Sequence, residues 1–417
     1  MRVCLFGRAD YRQFVDRARY MADAGLNVHV FSIQQPLDEL TQYSPGESGG
    51  SLQFYPVGRW LRRLGPLARL GFRGFAYLTL RWSTRRTIRS IEPDIIDLHG
   101  ISSYGGYVIT RGKSRRLNLD DETPVYAFSY GSDVTSHAAH SGVGRLIARR
   151  CIRHADHLYS STPVVLDEIR RVLEMEPPDT FSIRPWGIKT DEIFSLGSQD
   201  RIDERARRGI DPDAVVVIHN RLFHPFWRID QMVDVAQQFC DQRSNSSTTP
   251  HHFIFACPPG NETADQLAAD ARHQVEASGL GNRIHFLHGV DHESMIRLLA
   301  AADIFTCFGD ADLLATSVLE AMAAGLVPVL RDLPAYREVI RDGDNGFLQP
   351  ELIQADLLAC LRQLAGDPKL RERIAQRNRA FMSQRGDARA ATTEVIQMFQ
   401  QLTRKTARPA VSSKLVD

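Results

Sequence analysis

Two carboxylates and two hydroxyls stand together in Asp312-Leu-Leu-Ala315-Thr316-Ser317-Val-Leu-Glu320-Ala-Met-Ala-Ala-Gly325-Leu-Val-Pro328-Val. The apolar run predicts a helix that begins near Thr316 and stops at Gly325, ahead of a strand. The first-turn N–H groups, the Thr316 and Ser317 hydroxyls and the positive end of the helix dipole would then face an anion, and a nucleoside diphosphate fits there. Asp312 before that turn and Glu320 beyond it accept hydrogen bonds only, so they suit sugar hydroxyls and repel bare phosphate. The pair therefore favours a nucleotide-sugar over a nucleotide. An amphipathic helix packed on a sheet with a solvated Glu320 has the same pattern, and the rest of the chain has to separate the two.

The elements that must position these groups follow from a chain of 417 residues that is 43% hydrophobic, too long for one ordinary core and sufficient for two domains. Short apolar strands alternate with helical stretches in the first half, at Val3–Phe6, Asn27–Ser32, Ile95–His99, Val125–Ser129 and His157–Ser160. The pattern restarts at Ala214–His219, Phe253–Cys257, Ile284–Leu287, Ile304–Cys307 and Val327–Leu330. Such alternation means parallel sheets with helices on both faces. Helical spacing from Phe14 to Ala24 ends at Gly25, which completes a strand-helix-strand opening. We expect an N-terminal Rossmann-like domain over 1–195, a C-terminal one over 196–385, and a helix and tail over 386–417 that packs back towards the first domain.

A formal charge of +1 supplies no global field for nucleic acid, and no recognition motif for it accompanies the basic runs. The six cysteines are scattered through apolar runs without a C-x-x-C pair and read as buried reduced thiols. The first strand begins without a charged leader, and no segment reaches about 18 uninterrupted apolar residues. The expected location is cytoplasmic, either free or peripheral on the inner face of the membrane.

From Ser182 to Leu348 the chain resembles the retaining glycosyltransferase family four, and four motifs occur in that family's order. They are Arg184-Pro-Trp186-Gly187-Ile-Lys189-Thr-Asp-Glu-Ile-Phe194; Val215–Leu222 with Pro225 and Ile229-Asp230; Arg283-Ile-His-Phe-Leu-His288-Gly289-Val290; and Asp312–Val329 with its downstream loop through Phe347. The resemblance implies the GT-B architecture, two facing Rossmann-like doubly wound parallel-sheet domains with the donor held mainly by the second. It also implies that Arg221, beside Asn220, binds the diphosphate. Phe226-Trp227-Arg228 stands where the family has a glutamate-lysine-glycine run, so Arg228 would supply the missing charge one residue later. His288 and Gly289 would lie against the base, Leu314 and Ala315 in the donor loop, and Glu320 on the ribose hydroxyls. Asp312 replaces the family's first glutamate and is one methylene shorter. The resemblance implies no metal and no cofactor, the nucleoside-diphosphate sugar being a co-substrate.

On the acceptor side, Tyr130-Gly131-Ser132-Asp133 stands where the family has a histidine or another aromatic before Gly-x-Asp, which assigns Tyr130 and Asp133 to the catalytic cleft. A tyrosine hydroxyl can donate to sugar or phosphate but is no neutral-pH base at an ordinary pKa near 10. His137 would compensate or simply be exposed. His99, at the end of a strand, is either ligand-facing or a satisfied structural histidine. Arg8 would meet an anionic acceptor or face water.

From Gly58 to Ile91 the chain carries Arg59, Arg62, Arg63, Arg69, Arg73, Arg81, Arg85, Arg86 and Arg89 and no acid, interleaved with aromatic and leucine residues. The belt suits an anionic membrane surface or a phosphate-bearing lipid acceptor, and equally a helical hairpin packed on the first sheet. The expected activity is transfer of a sugar to a hydroxyl of a glycan or lipid-linked acceptor. The rivals are a nucleotide-sugar epimerase on the same architecture and a catalytically weakened sugar-nucleotide binder.

Overall fold

The computed structural model describes residues 1–44, 49–57, 73–109, 123–241, 249–258, 262–312 and 315–406, with the backbone alone for 73–81, 109, 136–137 and 404–406. The chain divides into two units, Met1–Trp186 with Ala388–Asp417, and Gly187–Asp387.

The first unit holds a seven-stranded parallel sheet in the order β3-β2-β1-β4-β5-β6-β7. Its strands are β1 Arg2–Phe6, β2 Asn27–Ser32, β3 Ser51–Pro56, β4 Ile95–His99, β5 Val125–Ser129, β6 His157–Ser160 and β7 Phe181–Ile183. The second holds a six-stranded parallel sheet in the order β10-β9-β8-β11-β12-β13. Those strands are β8 Val215–His219, β9 His251–Cys257, β10 Ile284–His288, β11 Ile304–Cys307, β12 Val327–Arg331 and β13 Phe347–Gln349. Both orders are doubly wound and reverse at one point, between β1 and β4 and between β8 and β11, where ligand crevices form beyond the carboxyl ends of the strands.

Central strands are apolar throughout because both of their faces are covered. Along β8, Val215 and Val217 enter one core with Phe253, Phe255 and Phe239, while Val216 and Ile218 enter the opposite core with Ile254, Phe305 and Met322. The strands that sequence reading missed, β3, β7 and β13, are all at or near an edge. β3 is only partly buried and ends in proline, and β7 and β13 are three residues long.

The sequence placed residues 187–195 with the first domain, whereas the structure places them with the second. Ile188 and Ile193 are buried against Ala214, Val216 and Ile218, and Thr190 Oγ1 donates to Asp387 Oδ2 at 3.2 Å. The helix Ala388–Thr406 belongs to the first unit, where Tyr126 Oη donates to the Met398 carbonyl and Phe399 packs on the Tyr126 ring. All six cysteines are free and buried.

One buried arginine ties the second unit together. Arg205 is 2% exposed and donates to the carbonyls of Ala301, Pro212 and Ala214 and to Asp303 Oδ2, while Arg201 takes Asp303 Oδ1. Every edge of that guanidinium is satisfied, which is what a buried cation needs.

Of the arginine belt, Arg59, Arg62, Arg63 and Arg69 lie outside the described residues, and Arg73 and Arg81 are placed only as backbone of the helix Arg73–Ile91. Arg85 is buried and donates to the Val108 carbonyl, while Trp82 is exposed beneath the Arg86 guanidinium. No described helix is long and apolar enough to cross a membrane.

Adjacent strands pair His252 and His285, with Nδ1 and Nε2 3.2 Å apart, and burial pushes each imidazole down to about 4. Unfolding restores ordinary values near 6.5, so between about pH 6.5 and 4 the unfolded chain binds protons that the folded chain refuses. Stability is full above that window and falls as pH drops through it. Urea unfolding at pH 7.5 and 5.0 should show a loss on the order of 2 kcal/mol or more at the lower pH, reduced in His252→Phe; equal stabilities would contradict this account.

Candidate functional site

The switch point of the second sheet brings Arg221 and Asp312 together. Arg221 follows β8 and Asp312 lies in the loop after β11, neighbouring strands whose carboxyl ends point the same way. Arg221 Nη2 donates to Asp312 Oδ2 at 2.9 Å and Nη1 donates to Ser317 Oγ at 2.8 Å. The guanidinium face lies 3.8 Å from the Trp227 ring centroid. Tyr336 Oη donates to the same Asp312 oxygen at 2.7 Å. The two charged side chains are only 15% and 13% exposed, so their attraction is poorly screened by solvent.

The helix Thr316–Ala324 starts beside this pair. Its N-cap, Ala315, has no side chain to bond the first-turn N–H groups, and Gly325 closes the far end at φ 83, a left-handed conformation that suits glycine. Ser317 and Glu320 are three residues apart and share a helix face, so Glu320 stands one turn beyond the Arg221 contact. Thr316, Ser317 and Glu320 are half-buried. Asn220 is buried and its Oδ1 has no hydrogen-bond partner among the described residues. His219 is neutral, because burial and the Arg221 charge push it down to about 3 while its Nδ1–H donates to the Thr306 carbonyl.

The remaining donor-side expectations fare differently. Arg228 does not join the Arg221 cluster. It is held by Asp310 Oδ1, which also accepts from Arg331, and it starts the helix Ile229–Cys240 in a left-handed conformation at φ 54. His288 is exposed and pairs with Asp265 Oδ1 at 2.8 Å, and Gly289 follows with φ 70. Leu314 lies outside the described residues.

In the first unit, Asp133 corrects the catalytic expectation. Its Oδ1 accepts from Ser129 Oγ and its Oδ2 from the Ile101 N–H, both at 2.8 Å, so it clamps the loops after β4 and β5 rather than facing a ligand. Burial raises its carboxyl above the ordinary value, opposed by those hydrogen bonds. Tyr130 stacks on Trp186, and burial pushes its hydroxyl well above 10, which makes it a donor and no base. His99 is buried, with Nε2 3.1 Å from Asp97 Oδ2, and its Nδ1 has no hydrogen-bond partner among the described residues, so it is enclosed without being fully satisfied. Arg8 is gripped by Asp10 through two contacts. The His137 side chain is outside the described residues.

Sequence reasoning missed Tyr336, and missed that Trp227 covers Arg221. Tyr336 is remote in sequence and carried no signal. Trp227 did carry one, an aromatic where a lysine was expected, and its partner Gly309 explains the room it occupies. A Cβ on Gly309 would lie 2.2 Å from the Trp227 ring.

A half-buried arginine at the switch point of a doubly wound sheet, flanked by a helix N-terminus and a carboxylate one turn along it, is an arrangement with the charge and donors to suit an anionic group. Residues 200–381 match the model of Glycosyl transferases group 1, and residues 12–186 match that of the Glycosyl transferase 4-like domain. The chain belongs to the group 1 glycosyl transferases. Among its relatives is a phosphatidyl-myo-inositol mannosyltransferase of Mycobacterium tuberculosis, 28% identical over 60% of this chain and 62% of that protein. Another is a GDP-mannose:cellobiosyl-diphosphopolyprenol alpha-mannosyltransferase of Komagataeibacter xylinus, 26% identical over 36% of this chain and 37% of that protein. The matches thus span less than two thirds of these relatives' length. The crystal structure of Anabaena Alr3699/HepE in complex with UDP and glucose has the same fold, with a TM-score of 0.74 and 16% identity over 96% of this chain and 100% of that one.

Gly309→Ala should push Trp227 off Arg221 and lower stability by ~1–3 kcal/mol in urea unfolding. Trp227→Leu in that background should recover part of the loss; strictly additive effects would show that the two do not touch.

Proposed function

We propose that this protein transfers a hexosyl group from a nucleoside-diphosphate sugar to a hydroxyl of a glycan or lipid-linked acceptor, with retention of anomeric configuration and without a metal. The observation that carries the reading is Arg221 at the β8/β11 switch point, held between Asp312 and Ser317 at the start of the helix that bears Glu320. The bond from the anomeric carbon to the diphosphate oxygen breaks and one to the acceptor oxygen forms. The acceptor's proton passes to the departing phosphate, and the charge left on the diphosphate is stabilised by Arg221 and the first-turn N–H groups. Glu320 accepts from the ribose hydroxyls and Asp312 from the donor sugar. Arg221 is already oriented before the diphosphate arrives, so little reorganisation accompanies binding.

Mannose is the sugar the relatives' names favour, with GDP the first base to test. Their names also favour a lipid-borne acceptor in glycolipid or polysaccharide synthesis, which suits a protein peripheral on the inner face of a membrane through the Arg59–Arg89 belt. Exposed Trp82, Arg86 and Arg89 are part of that surface among the described residues.

The lock on Asp312 supports a second reading, a sugar-nucleotide binder weakened in catalysis, because Arg221 and Tyr336 both claim one of its oxygens. A metal-free thermal-shift panel of GDP, UDP, ADP and their sugar conjugates tests the first reading. One nucleotide class at 100 times its dissociation constant should add about 2.7 kcal/mol, and Glu320→Ala should remove the effect. Arg221→Ala should lower turnover on the order of 10²- to 10³-fold. Silence across the panel would sink the transferase reading, and turnover gained only in Asp312→Glu would favour the weakened binder.

A further inference from the structure

The first unit contains a second polar cluster, and the donor chemistry above does not use it. Arg17 lies on the helix Arg12–Asp23 among Phe14, Ala18 and Met21 and is 1% exposed. Its guanidinium is 3.9 Å from the Trp186 ring centroid. Among the described residues, Arg17 Nε, Nη1 and Nη2 have no hydrogen-bond partner. The same holds for three buried atoms around that indole, Trp186 Nε1, Tyr130 Oη and His99 Nδ1. The Tyr130 ring is stacked on Trp186 with centroids 5.8 Å apart, and the His99 ring is 5.0 Å from it.

An aromatic ring over a guanidinium occupies its face and leaves every N–H in its plane available. The contact is worth about 2 kcal/mol when desolvated, less than the several kcal/mol that removing a cation from water costs. The buried Asp97 gives Arg17 no hydrogen bond, its oxygens accepting from Tyr159 Oη at 2.7 Å and lying 3.1 Å from His99 Nε2, so the guanidinium edges stay unmet. Arg205 is the contrast within the same molecule. It is as deeply buried, and its edges meet three carbonyls and a carboxylate. A structural role therefore looks like Arg205 and unlike Arg17.

The chemistry of the cluster is specific. Arg17, the Trp186 N–H and the Tyr130 O–H are donors. His99 Nε2–H serves Asp97, which leaves Nδ1 an acceptor. Three donors and one acceptor match an oxyanion beside a hydroxyl. The cluster lies where β4 ends at His99 and β5 leads into Tyr130, beside the switch point of this sheet. Tyr130 packs edge-on against Tyr11, which is exposed.

We propose that Arg17, Trp186, Tyr130 and His99 form the binding site for an oxyanion, a phosphate or carboxylate carried by the acceptor, with His99 Nδ1 accepting from a neighbouring hydroxyl. Assignment to the acceptor rests on the transferase reading; the oxyanion site itself does not.

The test is thermal unfolding at constant ionic strength with inorganic phosphate in place of chloride, in an Arg221→Ala background that removes the other anion site. Phosphate should raise the melting temperature, and Arg17→Met should abolish the rise at little cost to the melting temperature, since the desolvation it relieves offsets the Trp186 contact it loses. Tyr130→Phe should weaken phosphate binding about 5-fold, the worth of one hydrogen bond, and it decides the matter if Arg17→Met does not fold. A phosphate response that survives both substitutions, or none in the parent, overturns the proposal. Glucose 6-phosphate, glucuronate and glucose then separate the sources: a response to the first assigns a sugar phosphate, to the second a carboxylate, and an equal response to plain glucose overturns the oxyanion assignment. Nucleotide stabilisation, measured on the protein with Arg221 intact, should persist in Arg17→Met. Its absence from the wild type would count against the transferase reading alone.

Discussion

Parallel strands joined by crossover helices have no free face, and this constraint arranges everything else in the chain. In both sheets alternate residues of the central strands enter opposite cores, so a polar side chain in mid-strand has nowhere to meet solvent. Chemistry is pushed to the carboxyl ends, above all to the point where the strand order reverses. Arg221 after β8 and Asp312 after β11 owe their encounter to that reversal, although they are far apart in sequence. Trp227 and Ser317 then remove the guanidinium's remaining freedom, one through its face and one through its edge.

The same constraint makes each buried polar group informative. Asp133 is saturated by Ser129 and Ile101, Asp303 by Arg201, Arg205 and the Val216 N–H, and both serve to join elements. Asp97 lies inside a central strand and is satisfied by Tyr159 and His99. Arg17 shares that interior without a partner for its edges. Burial acts on all of these groups alike, disfavouring charge on His99, His219 and Tyr130, and the differences between them come from what each side chain meets.

Much was legible in local pattern. The two doubly wound sheets followed from apolar strands alternating with helices, because a strand buried on both faces cannot avoid an apolar composition. The helix from Thr316 to Gly325 followed from a hydroxyl-rich start and a glycine stop. Edge strands β3, β7 and β13 escaped because short, half-buried segments carry no such run. Asp97 in an apolar strand and Arg17 on an apolar helix face were visible anomalies, but sequence could not say that one is satisfied and the other is not.

By itself, then, the sequence determined the central strands and the helix at Thr316, the family to which the chain belongs, and the residues that carry its motif, since these depend on local periodicity and on matched residue types. Only the tertiary structure decided which side chains meet. It joined Tyr336 to Asp312 and Trp227 to Arg221, set Arg228 apart on Asp310, and turned Asp133 and His99 inward. The physical reason is that a hydrogen bond or ion pair depends on distances of a few ångströms, set by how strands and loops remote in the chain pack together.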